Sequence, residues 1–439
     1  MKGAVCLLFA IEEHVITKNN VHFHFIPTKK FKTIHFVLKC KAPLERETIT
    51  KRALLPFVLQ KGTENYRTEK ELMTRLDELY GATLSIDGAK KGNYHIISFR
   101  LEIANDQYLP NQSNLLNDAL ALYKEIIFHP RIENDQFQAS VVEREKLTLQ
   151  NKINSIYDDK LSYANVRLIE EMCENERFRI HKDGYVEDLP TINGENLYEY
   201  YKELLQTDRL DLYVVGDFEQ KAMEEVLMQS IRRDTARTSD ETIEENVENK
   251  EMKEVEETQP IQQAKLHIGY RTNCTYKDAD YFALQVFNGI FGGFPSSKLF
   301  ANVREKHSLA YYAASRIESH KGLLLVYSGI EPTDYKKARE IIELQMKAMK
   351  NGDFTREQVE ETKELIISEL KETLDNIYGI PELLYQQVVG QKTISPKTFM
   401  EEIKRVTKED VVQLAQKITA DTVFLLTSDG GEQHEAKDV

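Results

Sequence analysis

The chain has 439 residues, with 58 Lys and Arg against 72 Asp and Glu and a formal net charge of −14. It is long enough for about two or three domains with sizeable cores, and its acidity excludes the electrostatic footprint of a nucleic-acid binder. No run approaches the roughly eighteen apolar residues of a membrane helix. The apolar run Ala4–Ile11 meets Glu12 and Glu13 at once and offers no small-residue cleavage site, so it reads as a leading strand or loop rather than a signal peptide. Cys6, Cys40, Cys173 and Cys274 lie far apart, as free, mostly buried thiols of a cytoplasmic protein would.

Val21–Phe25 and Lys32–Lys39 are rich in β-branched and aromatic residues and predict two strands around a turn at Pro27–Lys30. His22 and His24 share one face of the first strand. Two histidines without a third donor make a poor zinc site, so strand polarity is the simpler reading. Thr48–Thr63 has helical apolar spacing and a stop at Gly62. Pro56 lies inside it and predicts a late start or a kink, because an internal proline costs about 3 kcal/mol. Thr68–Leu79 predicts an amphipathic helix with Leu72, Leu76 and Leu79 on one side. A short strand, Ala82–Asp87, and its hairpin partner, Tyr94–Ile103, follow. Helical spacing then dominates at Asn114–Ile127, Asn134–Ile153, Leu161–Asn175 and Asn196–Leu205, before a strand at Leu210–Val215 and a helix at Asp217–Met228.

Arg232–Pro260 passes through Glu241, Glu244, Glu245, Glu248, Glu251, Glu254, Glu256 and Glu257 with hardly an apolar residue, and predicts a solvated linker. Beyond it the pattern restarts with a strand at Lys265–Tyr270 and a helix at Ala279–Ile290. A glycine-rich turn at Gly292 and Gly293 leads to a helix from about Ser296 and a strand entered at Leu309. A strand at Gly322–Gly329 follows. Helices are predicted at Tyr335–Met349, Thr355–Leu374, Pro381–Val389 and Pro396–Ile418, and Thr422–Thr427 closes as a strand. The layout of Leu72–Gly88 repeats in Leu299–Ser315, with Asp77 falling where Arg304 does and Leu84 where Tyr311 does. Phe137–Ile153 likewise mirrors Gln358–Leu374. Such a long period means two duplicated domains, 1–231 and 261–439, joined by the acidic linker 232–260. The expected class is α+β, with helices packed on antiparallel sheet.

Arg304 closes its helix and Tyr311 follows seven residues later, a guanidinium fork and a phenol able to hydrogen-bond a peptide carbonyl across one cavity. The stretch Gly292–Ser315, GGFPSSKLFANVREKHSLAYYAAS, resembles the second-half signature of the pitrilysin/insulysin zinc peptidases, the inverzincins, which include the mitochondrial processing peptidases. In that signature a G-G-x-x-S-S-x-L-F run leads to an Arg and, seven residues on, a Tyr. The resemblance runs from about Val21 to Leu426. It implies two homologous halves forming a clamshell around a chamber. It also implies a substrate peptide laid by β-augmentation on the edge strand that holds Leu84 and Ile86, and contacted by Arg304 and Tyr311.

The family's zinc site is an H-x-x-E-H motif ahead of K-G-T, two His ligands with a Glu as general base. Lys61-Gly62-Thr63 sets the register here, so these positions fall on Ala53, Pro56 and Phe57. Glu143-Arg144 sets the register of the distal Glu ligand, which falls on Gln150. The resemblance therefore implies no cofactor and no catalysis by this mechanism. The run ETITKRALLPFVLQKGTENY further resembles the metal-free member of a paired bacterial branch, associated by name with the 5-aminopentanol modification of elongation factor P. The reading is a non-catalytic homologue that handles peptide, as a homodimer or a heterodimer with a zinc-bearing homologue, away from nucleic acid and membrane. The alternatives are a metallopeptidase with ligands from elsewhere, such as His22 and His24, or a purely structural scaffold.

Overall fold

A computed structural model describes residues 11–109, 114–233, 243 and 251–428. The first half contains β1 (His14–Lys18), β2 (Val21–Pro27), β3 (Thr33–Pro43), α1 (Ile49–Leu59), α2 (Glu69–Glu78), β4 (Thr83–Lys91) and β5 (Tyr94–Ala104). It continues through α3 (Leu115–Phe128), a small hairpin of β6 (Ile132–Glu133) and β7 (Gln136–Phe137), α4 (Ala139–Asp158), α5 (Lys160–Met172), α6 (Gly194–Thr207), β8 (Arg209–Gly216) and α7 (Gln220–Ser230). The second half runs through β9 (Lys253–Thr258), β10 (Ala264–Arg271), α8 (Tyr281–Asn288), β11 (Ala310–Glu318), β12 (Leu323–Ile330), α9 (Tyr335–Asn351) and α10 (Arg356–Leu374). It ends with α11 (Gly379–Gly390), α12 (Pro396–Arg405), α13 (Lys408–Lys417) and β13 (Thr419–Thr427).

The first sheet has the order β1-β2-β8-β3-β5-β4 and the second the order β11-β12-β10-β13-β9. Read from opposite ends, β2, β3, β4, β5 and β8 correspond to β9, β10, β11, β12 and β13. Both sets contain one parallel pair at the same place, β2 with β8 and β9 with β13. The α+β duplication is thus present strand for strand, with β1 as the extra strand of the first half. It also corrects the linker: Lys253–Thr258, read as solvated, is the first strand of the second half. That strand alternates exposed Glu254 and Glu256 with half-buried Val255 and Glu257, a period-2 signal that the glutamates obscure.

The inner strands of each sheet are buried on both faces. Phe36, Leu38 and Cys40 of β3 point into the first core, with Leu54 and Leu55 of α1 and Tyr123 of α3, while the intervening Val37 faces the other way. That second face is covered from the opposite half. Ile380, Leu384 and Tyr385 of α11 pack on Ile26, Val37, Tyr213 and Val215. In return Ala164, Leu168 and Met172 of α5 pack on Leu323, Leu325, Phe424 and Leu426 of the second sheet. Gly269 lets α5 come this close, since a Cβ there would lie 2.6 Å from the Met172 sulfur.

Other elements differ from expectation for identifiable reasons. Helix α1 runs through Pro56 without a break. The helix expected over Pro396–Ile418 is split at Val406-Thr407, where Thr407 and Asp410 form a reciprocal cap that starts α13. The expected leading segment Ala4–Ile11 lies almost wholly outside the described residues, as does Cys6. Cys40, Cys173 and Cys274 are free and buried.

Candidate functional site

Helix α1 is fixed by a residue that sequence reasoning passed over. Arg52 is fully buried and donates to both carboxylate oxygens of Asp208 (2.8 and 3.1 Å), to the Tyr200 hydroxyl (3.2 Å) and to the Cys40 carbonyl (3.2 Å). Burial works against its charge, but Asp208 and Tyr200 hold its pKa above the usual value. A lone arginine inside the apolar run of α1 was the available signal. Anchored this way, α1 places Ala53 in the core at 5% exposure, Pro56 beside it, and Phe57 half-buried against the same core.

These positions and Gln150 of α4 do not fit a zinc ion. Ala53, Pro56 and Phe57 have no donor atom, and the charges around them include several cations. The Lys152 ammonium sits 5.5 Å from the Phe57 ring centroid, and Lys61 lies 2.9 Å from Glu69 and 4.0 Å from Glu145. The buried Glu145 is paired with Arg144 at 2.8 Å. The substitute ligands fare no better. His24 has both ring nitrogens engaged by carboxylates, Nδ1 with Glu13 (2.7 Å) and Nε2 with Asp211 (3.2 Å), and His22 Nδ1 lies 2.9 Å from the Thr17 hydroxyl. No group of three or more His, Cys, Asp or Glu suited to a metal occurs among the described residues.

Among the described residues the edge strand β4 pairs only with β5. Its outward backbone groups follow from a tyrosine bridge behind it. The Tyr123 hydroxyl accepts from Leu38 N (2.8 Å) and donates to Phe99 O (2.7 Å), so the peptide groups of Phe99 face β3. Its partner across β4 is Ile86, which therefore turns its own peptide groups to the open edge, as does Leu84 two residues before it. The side chains go the other way: Ile86 is core and Leu84 packs against it. Both residues can thus offer backbone, not side chain, to an extended ligand. One of those backbone groups is already taken, since the Gln60 amide just after α1 donates to Ile86 O (3.1 Å) and to Pro56 O (2.7 Å).

In the second half α8 does not stop at the glycines. It widens into a π-helical turn over Gly289–Gly293 and breaks at Phe294. Gly292 permits close approach to β11, since a Cβ there would lie 2.7 Å from the Ser315 nitrogen. A second π-helical stretch, Phe300–Lys306, carries Arg304. Such wide turns are rare and concentrate at functional sites. Arg304 and Tyr311 each have a neighbour of their own. The Arg304 guanidinium lies 4.7 Å from the Phe300 ring centroid. Tyr311 sits at a bulge in the β11 register, is 63% exposed, and donates to Glu331 (3.0 Å).

Comparison with known proteins agrees with this arrangement. Residues 191–366 match the family model described as the peptidase M16 inactive domain. The chain is 47% identical over 411 residues to "Probable inactive metalloprotease YmfF" of Bacillus subtilis, covering 93% of this chain and 96% of that one. A solved structure of a conserved protein from Enterococcus faecalis V583 is 33% identical with a TM-score of 0.87, covering 96% of this chain and all of that one. A peptidase M16 inactive domain from Pseudomonas fluorescens shares the fold at 16% identity and a TM-score of 0.79, over 96% of this chain and all of that one. The chain belongs to the peptidase M16 family, as a homologue of its inactive metalloproteases.

Proposed function

We propose that this protein is a non-catalytic M16 subunit that binds or presents extended peptide alongside a homologue that retains H-x-x-E-H. One juxtaposition carries the reading. The first half has donor-free side chains at Ala53, Pro56 and Phe57 of α1, yet beside that helix it keeps a sheet edge whose Leu84 and Ile86 peptide groups face outward. Pairing along an edge needs only backbone. Arg304 and Tyr311, both exposed, supply the polar contacts from the second half.

The test is a pull-down of the tagged chain from its native cytoplasm, with metal analysis and peptide titration of each recovered chain. Zinc is expected on a co-purifying homologue and not on this chain, which should still bind peptide. Stoichiometric zinc on this chain, lost on chelation together with peptidase activity, would overturn the reading. The link to elongation factor P modification rests on the resemblance of residues 47–66 alone. Unchanged mass of that factor in a strain lacking this chain would remove it. A scaffold without peptide binding is the second reading, favoured by Gln60 already occupying the Ile86 carbonyl. Failure to bind any peptide would select it.

A further inference from the structure

A cavity of about 250 Å³ is lined by residues of both halves. Its apolar wall is formed by Ile153 and Ile156 of α4, Val166 and Ile169 of α5, and Leu325 of β12. It shares Ile153, Ile156, Val166 and His181 with a neighbouring hollow of about 360 Å³. Together they reach the size of small-ligand sites, about 300–1,000 Å³.

The polar groups at its rim are unequally committed. Lys90 donates to the Phe178 and Ile180 carbonyls (2.8 and 3.2 Å), and Asp183 is paired with Lys152 and Lys182 (2.7 and 2.8 Å). Glu318 is half-buried against the Gly92 N–H, and burial pushes its pKa up against the pull of Arg316, Lys90 and Lys91. Arg316, on the same face of β11, has no hydrogen bond or ion pair among the described residues. Asn165 Oδ1 is shielded from solvent and accepts from nothing. With Lys90, Arg179, Lys182 and Arg316 set against Asp183 and Glu318, the rim carries more cations than anions.

We propose that this cavity binds the carboxyl-terminal residue of a peptide when that residue is aliphatic. Three groups diverge from such a residue's Cα, and three features await them. The side chain meets the isoleucine and valine wall, the α-carboxylate meets the Arg316 guanidinium, and the N–H meets Asn165 Oδ1 once that amide turns into the cavity. An internal residue offers no anion there, and an acidic side chain offers nothing to the wall. The inference rests on the peptide-handling reading above and adds to it the end of the peptide that is recognised.

The probe is a fluorescein-labelled 20-residue peptide of extended, Val- and Thr-rich sequence ending in Ala-Leu, made with a free carboxylate and with a carboxamide. Anisotropy titrations use the full chain and Arg316→Gln, whose exposed site leaves the core packing untouched and whose circular dichroism is checked. Expected is at least about tenfold tighter binding of the free carboxylate by the wild type, with the ratio falling to about one in Arg316→Gln. Equal binding of both peptides by the wild type overturns the cavity proposal and leaves edge binding standing. A preference for the carboxylate that survives in Arg316→Gln overturns it too. Binding of neither peptide overturns both.

Discussion

The two halves carry the same five strands in the same order, and they diverge most at the edge strands β4 and β11. Beside β4, α1 remains a regular helix whose Ala53, Pro56 and Phe57 serve the core, and the edge is partly closed by the Gln60 amide. Before β11 the chain widens twice into π-helical turns, and a bulge leaves Tyr311 exposed. One half has converted its helix to packing, and the other spends irregular backbone on presenting polar side chains. The duplication thus fixes a frame, and the two halves differ in how their edges depart from it.

The frame itself is the easiest part to break. The halves are locked by the exchanged helices α5 and α11, each with an ionic clamp. Glu382 of α11 binds Lys39, Lys91 and Arg100 of the first sheet, while Arg271 and Lys321 of the second half bind Glu176, just after α5. The clamps are not equivalent. Lys39 is 1% exposed and has no other carboxylate within reach among the described residues, whereas Arg271 also holds Asp421 at 2.8 Å. Burial lowers the Lys39 pKa to about 8, and the three cations pull Glu382, despite its own burial, down to about 2. Glu382→Gln should therefore cost about 3 kcal/mol of stability, because it strands a buried ammonium, and Glu176→Gln should cost less. Urea denaturation of both variants checks the order, and equal losses would mean that the clamps are interchangeable.

A pH series probes the two central strands. His35 of β3 and His267 of β10 are buried with no hydrogen-bond partner among the described residues, each edge-on to a tyrosine, and burial lowers both to about 3. Below the ordinary histidine pKa of 6.5 the unfolded chain binds protons that these folded side chains refuse, so stability falls as the pH drops from about 6.5 towards 3. The slope is up to about 1.4 kcal/mol per pH unit for each. His24 acts in the opposite sense: burial works against its charge, but Asp211 and Glu13 raise its pKa, so its contribution is fully present below 6.5 and is lost as the pH rises above it. The double variant His35→Phe/His267→Phe should flatten the loss between pH 6.5 and 5.5, read from urea midpoints. An unchanged slope would assign the acid sensitivity elsewhere.

Much of the frame was legible because periodicity reports burial, and these sheets and helices are strongly patterned. The duplication was visible in the repeated helix–turn–strand layout. What escaped was set by long-range partners. Strand β9 exists because β13 lies beside it, and its own sequence is nearly all charge. The role of Arg52 depends on Asp208, 156 residues away. That Ala53, Pro56 and Phe57 offer a metal no donor follows from their identity alone, whatever surrounds them. The local partners of Arg304 and Tyr311 were not legible, because spacing places two residues on a segment without saying which neighbour each will meet.

The edges can be compared by peptide binding. Arg304→Ala should weaken binding of an extended peptide about tenfold, since a charged donor is lost, and thermal stability should hardly change because the side chain is exposed. Tyr311→Phe should do less, because it removes a neutral hydroxyl that already has Glu331 as a partner. A stability loss with unchanged binding per folded molecule would make the pair structural and favour the scaffold reading.

The first-half edge predicts a smaller change of the opposite sign. A peptide that pairs with β4 at Ile86 must displace the Gln60 amide from the Ile86 carbonyl. Removing that amide takes away a competitor, and water can satisfy the carbonyl in the free protein because the site is only part-buried. The net value of one such hydrogen bond, about 0.5–1.5 kcal/mol, sets the expected gain. Gln60→Ala should bind extended peptide about two- to tenfold more tightly, while Arg304→Ala in the same background should still weaken it. Unchanged affinity would mean that the peptide does not reach β4 at Ile86. Weaker binding would mean that Gln60 itself holds the peptide, and the comparison between the two edges would then reverse, with the first half supplying the side-chain contact.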